Sequence, residues 1–219
     1  MSQRPFHLRF EQLPRIVPVF PLAGALLLPG GRLPLNVFEP RYLNLVSDAL
    51  GQGRLLAMVQ PAEPEPHPRP RLHDLGCLGR ISTLTETEDG RLLITLTGIA
   101  RFRIIGEMEM VRGYRRVLAE YADFRGDLEH DTSAARIDRG RLQTVMHAYF
   151  HMIDAELDWK AVESAPDGAL VDALSMLCPF EPRDKQALLA AANVADRAEL
   201  VVALMEMALF DVTRPGARQ

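Results

Sequence analysis

Two histidines sit four residues apart in His147-Ala-Tyr-Phe-His151, with Asp154 three further on. On a helix that spacing puts both imidazoles on one side, as zinc hydrolases require. Those enzymes also place a glutamate beside the first histidine as general base, and here the position is Ala148. The pair also lies to the side of the apolar stripe formed by Val145, Met146 and Tyr149. Two solvated helix-surface histidines account for it, and a metal-dependent hydrolase built on His147 and His151 is retained only as an alternative. Nucleotide hydrolysis fares worse. A P-loop needs Gly-Lys-Ser/Thr so that the ammonium reaches the phosphates, and the only lysines, Lys160 and Lys185, follow Trp159 and Asp184. The same two lysines are the only partners for a Ser–Lys dyad, and neither local sequence promises the desolvation that lowers a lysine pKa. No Gly-x-Ser-x-Gly elbow occurs, and Gly51-Gln-Gly53 is followed by Arg-Leu-Leu, which is no dinucleotide fingerprint. The sequence is therefore read as non-catalytic, with no cofactor.

Binding chemistry is a better fit. Arg112, Arg115 and Arg116 around Tyr114 could form a nucleic-acid patch with an aromatic platform. Glu107, Glu109 and Glu120 flank them, and cross-strand charge pairing is the simpler account. A net charge of −4 also argues against a dedicated nucleic-acid or anionic-membrane binder. Met108 and Met110 alternate with Glu107 and Glu109 and are either core or an adaptable surface for peptides.

The elements that must position these groups change character along the chain. At 219 residues, 47% apolar and 25% charged, it can bury a substantial core. Residues 1–125 read as strands and turns with one helix at about 40–50; residues 126–219 read as helices. The expected fold class is α+β, a β-rich lobe packed against a helical bundle. The uncharged run Ile16–Gly31 is broken by Pro18, Pro21 and Pro29. It reads as buried strands, not as a signal or membrane segment. Strands are expected around Val17–Phe20, Leu33–Phe38 and Arg54–Gln60. Residues 61–70 hold five prolines and form a loop. Asp89-Gly90 between alternating runs predicts a hairpin with a two-residue turn. That register pairs Thr87 with Leu92 and Thr85 with Ile94, and sends Ile81, Leu92, Ile94 and Leu96 to the core. Helices follow: one with the stripe Leu142, Val145, Met146, Tyr149, Ile153 and Leu157, then 169–178 capped by Asp167, then 184–192. A last one opens on the box Asp196-Arg-Ala-Glu199 and is apolar on more than one face. Two cysteines, Cys77 and Cys178, make no disulfide framework, and a reduced, cytoplasmic setting is expected.

Phe38-Glu39-Pro40-Arg41-Tyr42 joins strand to helix. Pro40 suits the first helical turn, Glu39 sits where the helix dipole favours negative charge, and Tyr42, Leu45, Val46, Ala49 and Leu50 trace an inward stripe. Arg41 is left for a salt bridge to a nearby acid.

The same residues carry a resemblance. VFPLAGALLLPGGRLPLNVFEPRYLNLVSDAL (19–50) resembles the opening of the N-terminal domain of the Lon protease family. LGRISTLTETEDGRLLITLTGIARFRI (78–104) is similar to its second signature, a hairpin followed by G-x-x-R-F-x-I, and 179–209 to its helical close. The resemblance implies a PUA-like pseudo-barrel beside a small helical bundle. In the proteases this domain recognises substrates and supports assembly, while separate ATPase and Ser–Lys protease domains do the chemistry. It therefore implies a stand-alone, non-catalytic module for unfolded or partner polypeptide, serving as an adaptor or regulator of proteolysis; a PUA-like nucleic-acid binder is the alternative. The candidate contact residues are Phe38, Arg41, Tyr42, Met108, Met110 and Tyr114, several of which would serve equally as core. The Pro-rich 61–70 loop departs from the family pattern.

Overall fold

A computed structural model describes residues 8–62, 70–128 and 137–213, divided between two compact units, Met1–Asp131 and Thr132–Gln219. The fold is α+β. In the first unit six strands, β1 (Ile16–Pro21), β2 (Arg32–Val37), β3 (Leu55–Pro61), β4 (Leu72–Glu86), β5 (Leu92–Val111) and β6 (Tyr114–Glu120), form one sheet in the order β2-β5-β4-β3-β1-β6. A further β5–β6 pairing joins the last strand of that order to the second. The 20-residue β5 makes this possible. It pairs with β2 along residues 92–97, with β4 along 92–103 and with β6 from Arg103 onward. Five strands thus close into a barrel, with β2 attached outside the ring. Closure leaves few open edges.

Alternation fixes what faces inward. Val17, Val19, Ala57, Val59, Leu78, Ala100, Phe102, Val117 and Ala119 fill the barrel. The charge-free segment before β2 contributes Leu26, Leu27 and Leu28, all fully buried. It crosses β5 at Gly98, where any Cβ would overlap the Leu28 carbonyl. A glycine is therefore required there for close backbone approach.

The hairpin differs from expectation by one residue. Thr85 pairs with Leu93 and Glu86 with Leu92, and the Thr87 N–H donates to the Arg91 carbonyl at 2.9 Å. The loop therefore holds three residues, Glu88-Asp89-Gly90, with Gly90 at φ +77°. The Thr87 hydroxyl accepts the Arg91 N–H at 3.2 Å, which helps the longer loop win. A second irregularity at Ser82 sets Ile81 opposite Leu96. Ile81, Ile94 and Leu96 consequently reach the core, whereas Leu92 is only half-buried.

Helix α1 (Pro40–Gly51) follows β2. Pro40 occupies its first position, and the Glu39 carbonyl accepts from the N–H groups of Tyr42 and Leu43. It buries Tyr42, Leu45, Val46 and Ala49; Leu50 is exposed, so the inward stripe stops one residue early. Tyr42 stacks on Phe20 with centroids 4.2 Å apart. The expected 61–70 loop lies mostly outside the described residues.

The second unit holds α2 (Arg139–Met152), α3 (Trp159–Ser164), α4 (Asp167–Leu177), α5 (Pro182–Ala190) and α6 (Val194–Thr213). Leu142, Val145, Met146 and Tyr149 are buried as the stripe requires. Asp154 at φ +52° ends the helical path, so Ile153 and Leu157 lie beyond α2. The short α3 has no stripe of its own to betray it and was not anticipated. Asp167 is the first helical residue of α4 and pairs with Arg139 instead of capping. The cap of α6 also lies earlier than expected: the Asn193 side chain accepts the Asp196 N–H and donates to the Asp196 carboxylate, each at 2.9 Å. α6 packs on α2, α4 and α5 through Ala198, Val201, Val202 and Met205. Its other face is open, with Met207 and Phe210 exposed. Arg197, buried, reaches Asp172 of α4 at 2.6 Å and the Leu188 carbonyl of α5 at 3.1 Å.

Candidate functional site

His147 stacks on Trp159, ring centroids 3.5 Å apart, which ties α2 to α3. His151 and Asp154 are exposed. Among the described residues no group of three or more His, Cys, Asp or Glu is placed to hold a metal ion.

Lys185 overturns one expectation. Its local sequence is polar, yet its side chain is buried on α5, and its ammonium donates to the Met176 carbonyl at 3.0 Å. Burial lowers its pKa. The tertiary fold creates this environment, with α4 supplying the cover. The nearby Cys178 thiol is pushed up to about 12, chiefly by burial, so it is far from a reactive thiolate. The buried Ser175 hydroxyl donates to the Val171 carbonyl at 2.7 Å. Lys185 and Ser175 each satisfy a helix carbonyl and serve packing.

The arginine cluster is likewise engaged by partners within the chain. Arg115 pairs with Glu107 and donates to the Pro70 carbonyl at 2.7 Å. Arg116 donates to the Glu109 carbonyl, not to its carboxylate, at 3.1 Å. Glu120 caps the chain by accepting the N–H groups of Tyr121 and Ala122. Arg112 and Gly113, both at positive φ, form the tight β5–β6 turn. That turn closes on α1: Arg112 reaches Asp48 at 2.5 Å and Asn44 at 2.7 Å.

Phe38, Arg41, Tyr42, Met108, Met110 and Tyr114 divide into two sets. Tyr42 and Tyr114 are inside. The Tyr114 hydroxyl donates to Asp48 at 2.9 Å; burial raises its pKa, and the hydrogen bond to the Asp48 carboxylate raises it further. These two tyrosines hold α1 on the barrel. Phe38, Met108 and Met110 are outside, 58%, 38% and 52% exposed, so the two methionines are surface, not core. They follow the β5–β6 arm past the point where the barrel needs inward side chains. Arg41 forms the anticipated salt bridge, to Glu39 at 2.7 Å, while its guanidinium lies 4.6 Å from the Tyr42 ring. A side-chain carbon at Gly113 would sit 3.2 Å from the Arg41 Cβ, which places the start of α1 beside the hairpin tip that follows Met110. At the other flank Arg91 lies 5.5 Å from the Phe38 ring.

Other exposed apolar residues of this unit were not singled out from the sequence, among them Leu84, Leu93 and Ile105. The register shift in the β4–β5 hairpin and an irregularity between Ile104 and Gly106 decide which way they point, and neither is visible as a sequence pattern. Elsewhere, among the described residues, no helix is long and apolar enough to cross a membrane.

Residues 16–207 match the family described as the ATP-dependent protease La (LON) substrate-binding domain. Among curated relatives, Lon protease 2 of Myxococcus xanthus is 24% identical over 198 residues, covering 89% of this chain and 24% of that protein. Lon protease 2 of Thermus thermophilus is 26% identical over 213 residues, covering 92% and 26%. The chain thus spans about a quarter of the length of the curated relatives it matches. Among solved structures, a Lon N-terminal domain protein from Xanthomonas campestris superposes with TM-score 0.61 at 24% identity, covering 86% of this chain and 97% of that one. The N-terminal domain of a Mycobacterium avium complex Lon protease gives 0.60 at 16% identity, covering 87% and 98%. The barrel with its attached strand and the helices that follow it are therefore the fold of Lon N-terminal domains, and this chain belongs to the LON substrate-binding domain family.

Proposed function

We propose that this chain binds unfolded or partner polypeptide non-catalytically through the apolar surface of its β-rich unit, and acts as an adaptor or regulator of proteolysis. One observation carries the reading: Phe38, Met108 and Met110 stand exposed around a helix start and a hairpin tip that Asp48, Tyr42 and Tyr114 hold in place. Flexible methionines and an exposed aromatic ring adapt to many apolar side chains, and exposed apolar groups over a rigid support mark interaction sites. Family membership supplies the substrate class. Nucleic-acid binding, prompted by the PUA-like lobe and the arginines at 112–116, is weakened because Arg112 and Arg115 are paired with acids of this chain.

Fluorescence anisotropy with labelled, reduced and carboxymethylated lactalbumin, a permanently unfolded chain, tests the reading. Replacing Phe38, Met108 and Met110 together by serine should weaken binding at least about tenfold. Leu177→Ser, at an exposed apolar residue of α4 in the other unit, should leave it unchanged. No binding by the native protein, or equal loss in both variants, overturns the proposal. Adding the protein to a Lon protease digesting the same chain should change the rate of degradation if the adaptor or regulator role holds.

A further inference from the structure

β4 is paired on both sides only part of the way. Its pairing with β3 runs as far as Arg80, and the Ile81 N–H still reaches the Arg54 carbonyl at 2.8 Å. Its pairing with β5 continues to Glu86. Residues 82–86, Ser-Thr-Leu-Thr-Glu, therefore have one strand neighbour among the described residues, and all five are exposed. Hydrogen bonding fixes which backbone groups face outward. The Thr87 N–H donates to the Arg91 carbonyl. Alternation along an antiparallel pair then turns the Thr85 and Thr83 amides toward β5, and those of Leu84 and Glu86 toward the open edge.

A second open edge, on β2, is blunted. The Gly98 N–H donates to the Gly31 carbonyl at 2.9 Å, so Leu33, Leu35 and Val37 turn their amides to β5 while Arg32, Pro34 and Asn36 face away. Pro34 has no N–H to offer there, the usual device for closing an edge. The β4 edge carries no such block; it has no proline and no lysine. The side chains beside it also specify a partner. Leu84 is 37% exposed, and Glu86 and Glu88 are exposed acids without an ion pair among the described residues, whereas Asp89 is engaged by Arg91 at 2.7 Å.

We infer that residues 82–86 take up an extended polypeptide segment as an added strand. An apolar side chain of the segment lies against Leu84, and a lysine or arginine faces Glu86 and Glu88. Main-chain hydrogen bonds supply sequence-tolerant affinity, and these three side chains supply the preference. The inference deepens the polypeptide-binding reading above and rests on it. Leu93 and Phe38 are the nearest exposed apolar residues of the same sheet end: Leu93 is the partner of Thr85, and Phe38 is in contact with Arg91.

The test uses the full chain and a fluorescein-labelled dodecapeptide of alternating valine and threonine with two terminal lysines. Residue-resolved hydrogen exchange at saturating peptide should slow the Leu84 and Glu86 amides about tenfold or more, and Thr83 and Thr85 much less. Methylating alternate peptide nitrogens should abolish binding in one parity and spare it in the other. Leu84→Pro, which removes an outward N–H and nothing from the β5 ladder, should weaken binding roughly tenfold beyond Leu84→Ala, and Glu86→Lys should weaken it as well. Peptide binding without protection of Leu84 and Glu86, or insensitivity to both methylation patterns, overturns the inference. So does binding of carboxymethylated lactalbumin but not of the peptide, a result that leaves the broader function standing. Binding of neither overturns both. Protection that grows with protein concentration without peptide assigns the edge to a second copy and also overturns it.

Discussion

Replacing Asp48 by alanine tests whether the proposed contact surface is held from beneath. The Asp48 carboxylate is about three-quarters buried and takes two donors from the β5–β6 hairpin, the Tyr114 hydroxyl at 2.9 Å and Arg112 at 2.5 Å. The phenol bond is the larger contribution, because Tyr114 is buried and its hydroxyl would lose a charged acceptor, at roughly 1.5–3 kcal/mol. Arg112 is half exposed, so solvent screening limits its pairing to about 0.5 kcal/mol. Asp48→Ala should therefore cost about 2–3 kcal/mol, Tyr114→Phe about 1.5 kcal/mol, and Arg112→Ala well under 1 kcal/mol. The two larger effects share one bond, so their double-mutant coupling should be about 1–2 kcal/mol. Native-state hydrogen exchange at the β6 amides reads the stability of this unit directly. A coupling below about 0.3 kcal/mol would refute the claim that Asp48 clamps α1 to the hairpin, and with it the idea that Phe38, Arg41 and Met110 are held as one surface.

Other outcomes follow from the same contacts. Gly98→Ala should destabilise the β-rich unit by about 1–3 kcal/mol, since the new carbon would press on the Leu28 carbonyl; urea unfolding measures it, and a cost below about 0.5 kcal/mol would place the 26–28 segment elsewhere. Asp172→Ala should cost the helical unit about 3–5 kcal/mol by leaving the buried Arg197 without its acid. Trp159 fluorescence, from the sole tryptophan, follows that unit. The thiol of Cys178 and the phenol of Tyr149 are both raised to about 12, chiefly by burial, from 9.0 and 10.0. Raised acids stay neutral in the folded state while the unfolded chain ionises. Their contribution is thus intact below pH 9 and is lost as pH climbs from 9 to about 12. Thermal melts across that range should fall, Cys178→Val should flatten the first part of the decline, and a flat wild-type profile would contradict the assigned burial.

Much of this architecture could be read without coordinates, and the exceptions have physical causes. Pro40 at a helix start after an alternating strand dictates the joint at 38–42 almost alone, because local chemistry decides it. The helical stripe of α2 was equally plain up to Tyr149, but no pattern marks the left-handed Asp154 that ends it. Asp89-Gly90 announced a turn, yet its length was settled by a hydroxyl, that of Thr87, competing for the Arg91 amide. Lys185 looked solvated because its sequence neighbours are polar; only the packing of α4 over α5 buries it. For the contact surface, alternation assigned Met108 and Met110 to one side of a strand. Residues 107–110 are exposed on both sides, because the β5–β6 arm runs past the barrel there, a long-range fact. Tyr42 and Tyr114 went inside because the Tyr42 ring stacks on Phe20 and the Tyr114 hydroxyl finds Asp48, which residue type cannot announce.

The most direct measurement is site-specific photocrosslinking of unfolded polypeptide. With benzoylphenylalanine in place of Phe38, irradiation beside carboxymethylated lactalbumin should yield a covalent adduct that excess unlabelled chain suppresses. The same probe in place of Leu177 should yield little. Equal adducts at both positions, or none at position 38, would contradict a docking surface on the β-rich unit.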